Sequence, residues 1–304
     1  MKRLENLIDM ARKLSQNQRY DADSGVSQDV FVQYFNNGQD ALIKEVMNLK
    51  TKYFKKSVTV PVVSGQEAYD YPFDCYVQHL DTIQWSDTNT GAYFQTLKRG
   101  YVKEKITTQV SYPFSYVPYE TNFHLQPPIG NGTLYITYMR TVDRLQKRAG
   151  QITVATISSG QLTALEVDDA QSDYDQAEIN SDYYLCVVDK YGAIKARNVP
   201  YDSVSAGVFT LDPFTLAATD SIAVGDYICV GKNSVNLPTW PDICESYLLK
   251  HAVYEAKYGD ASQWSQEALQ DMQRCFAGLS DTFATNSDDL IEIMISNTDY
   301  LAMY

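Results

Sequence analysis

Histidine is scarce in this sequence, with three among 304 residues, and cysteine contributes five. His79, His124 and His251 are isolated from one another and sit in apolar-patterned segments. That placement reads as packed structural imidazoles rather than a ligand set or a catalytic base. Cys75, Cys186, Cys229, Cys244 and Cys275 are far apart, none in a CxxC spacing, and an odd number leaves at least one unpaired. The spacing argues against a zinc site or a disulfide framework. Buried free thiols acting as small apolar side chains are the expectation.

Long apolar runs are also missing. Nothing approaches the roughly 18 residues a membrane helix needs, so no membrane partner is expected. The opening Met1-Lys2-Arg3-Leu4-Glu5 leads straight into an acidic amphipathic segment, without the apolar core of a secretion signal. Synthesis and folding in a cytoplasm is the reading.

The sequence contains no GxSxG, HExxH or phosphate-loop pattern. The expectation is therefore no enzyme, no catalytic residue, no metal and no cofactor. Asp168, Asp169, Asp173 and Asp175 invite comparison with hydrolases that set two carboxyls about 5 to 9.5 Å apart across a sugar. Adjacent residues on a strand point to opposite faces instead, and Asp168 to Glu178 lacks the glycine and terminal glutamate of a calcium loop. A solvated acidic loop is expected there.

Basic residues are outnumbered, 25 against 38 acids, for a net charge of -13. A phosphate-backbone binder normally carries a basic face, so that class is disfavoured. The excess is uneven: residues 150–236 hold 12 acids and 4 bases, whereas the first 56 hold 10 bases and 7 acids. Two faces of an assembled object are consistent with that split. Tyrosine is abundant at 24 residues, which suits interfaces and equally suits strands.

The chain begins with helical spacing of Leu4, Leu7, Ile8, Ala11 and Leu14. After a polar stretch, Ser27 is placed to cap a second helix, with Asp29 in its first turn, running to about Tyr53. Gly38 interrupts it, allowing close packing or a kink. The period then changes. Ser57 to Val63 reads as a strand with Pro61 marking an edge or bulge, and Ala68 to Tyr71 as another. His79–Trp85 with Tyr93–Leu97, and Thr121–Gln126 with Thr133–Met139, read as two strand pairs of a small antiparallel sheet. Six short strands follow between Gln151 and Asn236, separated by Asp, Gly, Ser and Asn. They predict an inserted barrel or sandwich. Leu237-Pro238-Thr239-Trp240-Pro241-Asp242 starts a helix pair that bends at Gly259-Asp260.

The expected fold class is thus α+β: N- and C-terminal helices forming a bundle, an antiparallel β region, an inserted all-β domain and an extended C-terminal tail. The boundaries read as 1–56, 57–149, 150–236, 237–280 and 281–304. The tail has five acids and no base, yet carries Leu290, Ile291, Ile293, Met294, Ile295, Tyr300, Leu301, Met303 and Tyr304. Such anchors suit docking on a partner, as extended segments do at sheet edges.

Three stretches carry a resemblance. One is Leu49 to Phe54 leading into Thr59-Val60-Pro61-Val62-Val63-Ser64-Gly65-Gln66-Glu67-Ala68-Tyr69-Asp70-Tyr71-Pro72-Phe73-Asp74. Another is Phe123-His124-Leu125-Gln126-Pro127-Pro128 with Gly132 to Tyr138 beyond it. The last is Leu237-Pro238 with its helix pair and Tyr258-Gly259-Asp260 at the bend. Over about 1–145 and 237–280 the chain resembles the head-to-tail adaptor proteins of short-tailed phages. The resemblance implies a structural virion protein of the neck: a dodecameric ring under the portal protein, its C-terminal tail reaching the portal's base. It also implies a tail nozzle or tail-tube partner and DNA passing through without sequence-specific binding. Residues 150–236 depart from shorter family members, and lateral neighbours, tail fibres or a nozzle protein all suit them as partners. A carbohydrate-binding or host-attachment module of a virion, suggested by the β-rich middle and abundant tyrosine, is the competing reading; its signature would be exposed aromatics around one groove.

Overall fold

The computed structural model describes residues 3–15, 27–49, 53–72, 74–87, 95–100, 112–128, 130–159, 161–168, 184–215, 222–259 and 261–285. The chain is mixed α+β and divides into two compact units, one of Met1–Tyr53 with Val142–Tyr304 and one of Phe54–Thr141.

Helix α1 (Leu4–Leu14) buries Leu4, Leu7, Ile8 and Ala11 on its apolar stripe, whereas Leu14 remains half exposed. Helix α2 (Gln28–Asn48) opens as its sequence predicts: the Ser27 hydroxyl accepts from the Val30 N–H at 3.4 Å, with Asp29 in the first turn. It ends at Asn48, short of Tyr53. Tyr53 lies edge-on to Phe283 at 4.9 Å and stacks on Trp240 at 6.2 Å.

Among its described residues, the unit Phe54–Thr141 forms eight strands: β1 (Lys55–Val62), β2 (Ala68–Asp70), β3 (Cys75–Asp87), β4 (Gln95–Thr96), β5 (Lys98–Arg99), β6 (Ser115–Pro118), β7 (Asn122–Gln126) and β8 (Gly132–Arg140). They form two four-stranded sheets, β1-β8-β3-β4 and β2-β7-β6-β5. One core joins them, with Ile83, Trp85, Leu134, Ile136 and Tyr138 meeting Tyr69, Tyr116, Phe123 and Leu125. Pro61 lies on edge strand β1, where its missing N–H breaks no ladder bond. The first expected pair is present, Gln84 opposite Thr96 and Trp85 opposite Gln95. The second is corrected. β7 pairs with β2 and β6, β8 with β1 and β3, so they belong to different sheets. Pro127-Pro128 cannot donate ladder bonds, and the chain crosses from one sheet to the other there. Gly132 opens β8 where a Cβ would stand 2.2 Å from the Ser86 carbonyl oxygen and 2.8 Å from Trp85 Nε1.

The return to the helical unit is β9 (Arg144–Leu145). The six strands read from the sequence follow: β10 (Gly150–Ser158), β11 (Gln161–Val167), β12 (Tyr184–Val188), β13 (Ile194–Ser205), β14 (Val208–Thr215) and β15 (Tyr227–Val230). They close as a barrel in the order β10-β11-β14-β13-β12-β15. Closure removes open sheet edges and fills the interior with Ile152, Leu162, Leu165, Leu185, Val199, Phe209 and Ile228. β13 and β14 join through Ala206-Gly207, both with positive φ, as a two-residue hairpin turn requires. The exit strand β16 (Ser234–Val235) pairs in parallel with β9.

A 3-10 turn at Asp242–Cys244 leads into α3 (Glu245–Tyr258), which ends where Gly259 adopts φ 82°. Helix α4 (Gln266–Thr285) follows. α3 packs on α1, α2 and α4. Its Lys250 and Tyr254 both reach the Asp271 carboxylate of α4, at 2.8 Å each, and those bonds hold Asp271 below the usual carboxylate range.

Candidate assembly site

The docking residues read from the sequence, Leu290, Ile291, Ile293, Met294, Ile295, Tyr300, Leu301, Met303 and Tyr304, lie outside the described residues. Helix α4 runs to Thr285, five residues past the boundary of 280 read from the sequence. Phe283, in the last turn of α4, is 1% exposed and held against Tyr53 and Trp240.

A site the sequence reading did not single out is the junction between the helices and the barrel. Entry strand β9 and exit strand β16 are neighbours, with Arg144 N–H donating to the Asn233 carbonyl at 2.8 Å and Gln146 N–H to Val235 at 2.9 Å. On the other side of β9, the Asn36 amide of α2 replaces a strand. Its Nδ2 donates to the Leu145 carbonyl at 2.9 Å and its Oδ1 accepts the Leu145 N–H at 2.8 Å. Gln39 braces this bracket by donating to Asn36 Oδ1 at 3.1 Å and to the Asp143 carbonyl at 3.2 Å. The Asp143 carboxylate pairs with Arg197 of β13.

Asn198 and Asn233, both at positive φ, complete the barrel side. Asn198 Nδ2 donates to Asn233 Oδ1 at 2.8 Å, and Asn233 N–H returns a bond to Asn198 Oδ1 at 2.7 Å. Around them Glu5 accepts from Arg148 at 3.0 Å and from Asn236 at 2.9 Å, and Lys147 meets Asp29 at 2.8 Å. Such groups need fixed partners once desolvated, so a junction built this way favours one seating of the barrel. A signal was present: Gln39 falls at core spacing between Phe35 and Leu42 and is fully buried.

The histidines separate. His251 is buried between Gly38, Tyr247 and Trp264, and burial pushes its pKa down to about 4. A Cβ on Gly38 would stand 3.2 Å from the His251 ring, so the interruption of α2 is a close-packing site. His124 is half-buried and 3.2 Å from Glu67. The side chain of His79 lies outside the described residues. All five cysteines are free thiols. Burial raises Cys186, Cys229 and Cys244, the last to about 12, so these three stay protonated and unreactive at neutral pH. Among the described residues no group of His, Cys, Asp and Glu is arranged to hold a metal ion, and no helix is long and apolar enough to cross a membrane.

Open clefts among the described residues of the helical unit include the following two. One, of about 590 Å³, runs between α2 and the β9/β16 corner, lined by Gln33, Asn37, Asp40, Arg144 and Lys232 among others. The other, of about 430 Å³, lies at one end of the barrel beside Gln151, Asp189, Tyr191, Asp226 and Tyr227. Tyr191 is 66% exposed there.

Residues 3–174, more than half of the chain, match the family described as SU10 adaptor protein, and the chain belongs to that family. It is accordingly a structural adaptor of a phage particle, in keeping with a head-to-tail adaptor. The match runs through β10 and β11, so the start of the barrel lies inside the family segment. No curated protein matches the chain.

Proposed function

We propose that this adaptor forms a dodecameric ring beneath the portal and joins it to the tail nozzle or tail tube, with DNA passing through the ring. The observation that carries this reading is the family match over residues 3–174. The packing of α3 on α1, α2 and α4 supports a bundle made from both ends of the chain as the body of each ring segment. The tail read from the sequence as 281–304, whose first residues 281–285 belong to α4, docks on the portal beyond that helix through Leu290, Ile291, Ile293, Met294, Ile295, Tyr300, Leu301, Met303 and Tyr304. The anchored end of α4 supplies a fixed point from which it extends.

The protein is assembled onto the virion neck after synthesis in the host cytoplasm. The acidic barrel faces neighbours, fibres or nozzle. Mass photometry and negative-stain imaging with and without portal test the assembly. Rings, or a portal-dependent shift to a multi-subunit complex, are expected; a monomer indifferent to portal overturns the reading. Deleting residues 286–304 is expected to leave the fold intact and abolish portal attachment, and unchanged co-assembly of the truncated protein removes the tail from the mechanism.

A second reading, a carbohydrate-binding or host-attachment module, draws on the exposed Tyr191 ring beside Tyr227, Asp189 and Gln151 in the barrel cleft. Glycan binding by the intact protein, abolished by Tyr191→Ala, would favour it.

A further inference from the structure

Among the described residues the two most exposed large apolar side chains are Val224, at 71%, and Tyr191, at 66%. Both line the cleft of about 430 Å³ at one end of the barrel. The turn between β12 and β13 and the turn before β15 form it, with Gln151 and Tyr227 beside them. The first turn is held in place. Leu237 packs on Gly192, where an added Cβ would stand 2.8 Å from the Leu237 Cβ, and the Arg3 guanidinium donates to the Lys190 carbonyl. Two exposed apolar side chains sharing one cleft mark an interaction surface, where single scattered ones would not.

The charged groups of the cleft select what covers it. Residues 150–236 hold only four bases, and two of them, Lys190 and Lys195, line this cleft. The Lys190 ammonium stands 4.9 Å from the centre of the Tyr191 ring, so a cation and an apolar face are offered together. Two acids line the cleft as well, but both are turned to the backbone. Asp189 accepts from the Tyr191 and Ala193 N–H groups at 2.7 and 2.9 Å. Asp226, 7% exposed, accepts from the Ala223 N–H at 2.8 Å. Formal charges balance, yet Lys190 is exposed while the carboxylates are already bonded. The complement is a segment with acids, apolar anchors and no base.

This chain carries such a segment. Residues 286–304 contain Asp288, Asp289, Glu292 and Asp299, no base, and the run Tyr300-Leu301-Ala302-Met303-Tyr304. The last turn of α4 starts them within reach of the cleft. Phe283 packs on Trp240 at 6.4 Å, Trp240 lies three residues beyond Leu237, and Leu237 meets Gly192 next to Tyr191. That path spans about 40 Å at most, whereas residues 286–300 cover about 50 Å when extended. We infer that in the unassembled subunit the segment 299–304 lies in the barrel cleft of its own chain, its apolar side chains against Tyr191 and Val224 and Asp299 beside Lys190. The inference rests on the docking role given to this tail above, and adds where the tail is held before the portal takes it. A seat filled about nine-tenths of the time lowers the apparent portal affinity about tenfold.

Full-length protein carrying Cys75→Ser and Cys275→Ser, with Val224→Cys and Met303→Cys added, is oxidised gently at low concentration. The expected product is a disulfide within one chain: a monomer whose peptides containing positions 224 and 303 are joined. A disulfide-linked dimer puts the segment on a neighbouring copy and overturns the inference, as does the absence of any link. Chymotrypsin cleavage after Tyr300 reads the same seat without added cysteines. Val224→Asp and Lys190→Glu, both at exposed positions, should each speed it about tenfold and melt like the parent. Cleavage at the parental rate in both overturns the inference. Portal binding by these two variants is measured separately and should tighten up to about tenfold, because a competing seat is lost. Weakened portal binding in both would make the cleft part of the portal contact and overturn the seat. A tail that links to its own cleft in a protein indifferent to portal upholds the seat and fails the portal reading alone.

Discussion

The side chain of Asn36 brackets the peptide of Leu145, donating to its carbonyl at 2.9 Å and accepting its N–H at 2.8 Å. A helix thereby fills the place of a third strand beside the β9/β16 ladder, at the point where the chain leaves for the barrel and returns from it. Both backbone groups of Leu145, itself 1% exposed, lose their partner if the amide is lost.

Asn36→Leu should therefore destabilise the helical unit by about 2 kcal/mol or more, since two desolvated polar groups are stranded together. Asn36→Asp, which keeps the acceptor and loses the donor, should cost less. Chemical denaturation gives the magnitudes. Hydrogen exchange at the Leu145 amide should speed up in Asn36→Leu before the rest of the barrel responds, and uniform exchange would place the bracket outside the stability of the junction.

His251 makes stability depend on pH. Its folded pKa is near 4, below the 6.5 of an unperturbed imidazole, because burial disfavours the charged ring. The unfolded chain therefore takes up the proton first. The contribution is fully present above about pH 6.5, is lost as pH falls towards 4, and amounts to about 3 kcal/mol across that window. Urea midpoints for the parent and His251→Gln at pH 7.5 and pH 4.5 isolate it from the carboxylates. The parent should lose more stability than the variant, and parallel losses would refute the assignment.

Gly38 tests the same contact from the other helix. Alanine ordinarily gains up to about 1 kcal/mol over glycine inside a helix. Here its Cβ would press on a ring already held by Tyr247 and Trp264, 3.2 Å away. Gly38→Ala is expected to be neutral to about 1 kcal/mol destabilising, and Gly38→Val to cost about 3 kcal/mol. A clear stabilisation by alanine would show that His251 yields.

In the other unit, Gly132→Ala should be severe. The new methyl would fall 2.2 Å from the backbone oxygen of Ser86, an atom fixed by the β3–β8 pairing. A loss of about 3 kcal/mol or more is expected, read as a lowered melting transition of residues 54–141. Restoration of the parental melting curve would require β8 to shift register.

Much of this was legible in the residues. Ser27 with Asp29 announced the start of α2, Pro61 announced an edge strand, and six apolar runs separated by turn residues announced the six barrel strands. Period and cap chemistry are local properties, so the chain displays them without its fold. Pairing is not local. β7 and β8, neighbours across Pro127-Pro128, looked like a hairpin and belong to opposite sheets. The site was less legible for the same reason. Asn36 and Gln39 are ordinary amides in a helix until β9, more than a hundred residues later, is laid beside them.

The sequence by itself determined the element types, the acidic imbalance, the inserted β segment and the kinship with phage adaptors, because composition, periodicity and short motifs are carried within a few residues of one another. Only the tertiary structure decided that the barrel closes, that Gly38 faces His251 and that one amide latches the junction. Each of those depends on which distant backbone groups and surfaces meet, and that is settled by burial and hydrogen bonding across the whole chain.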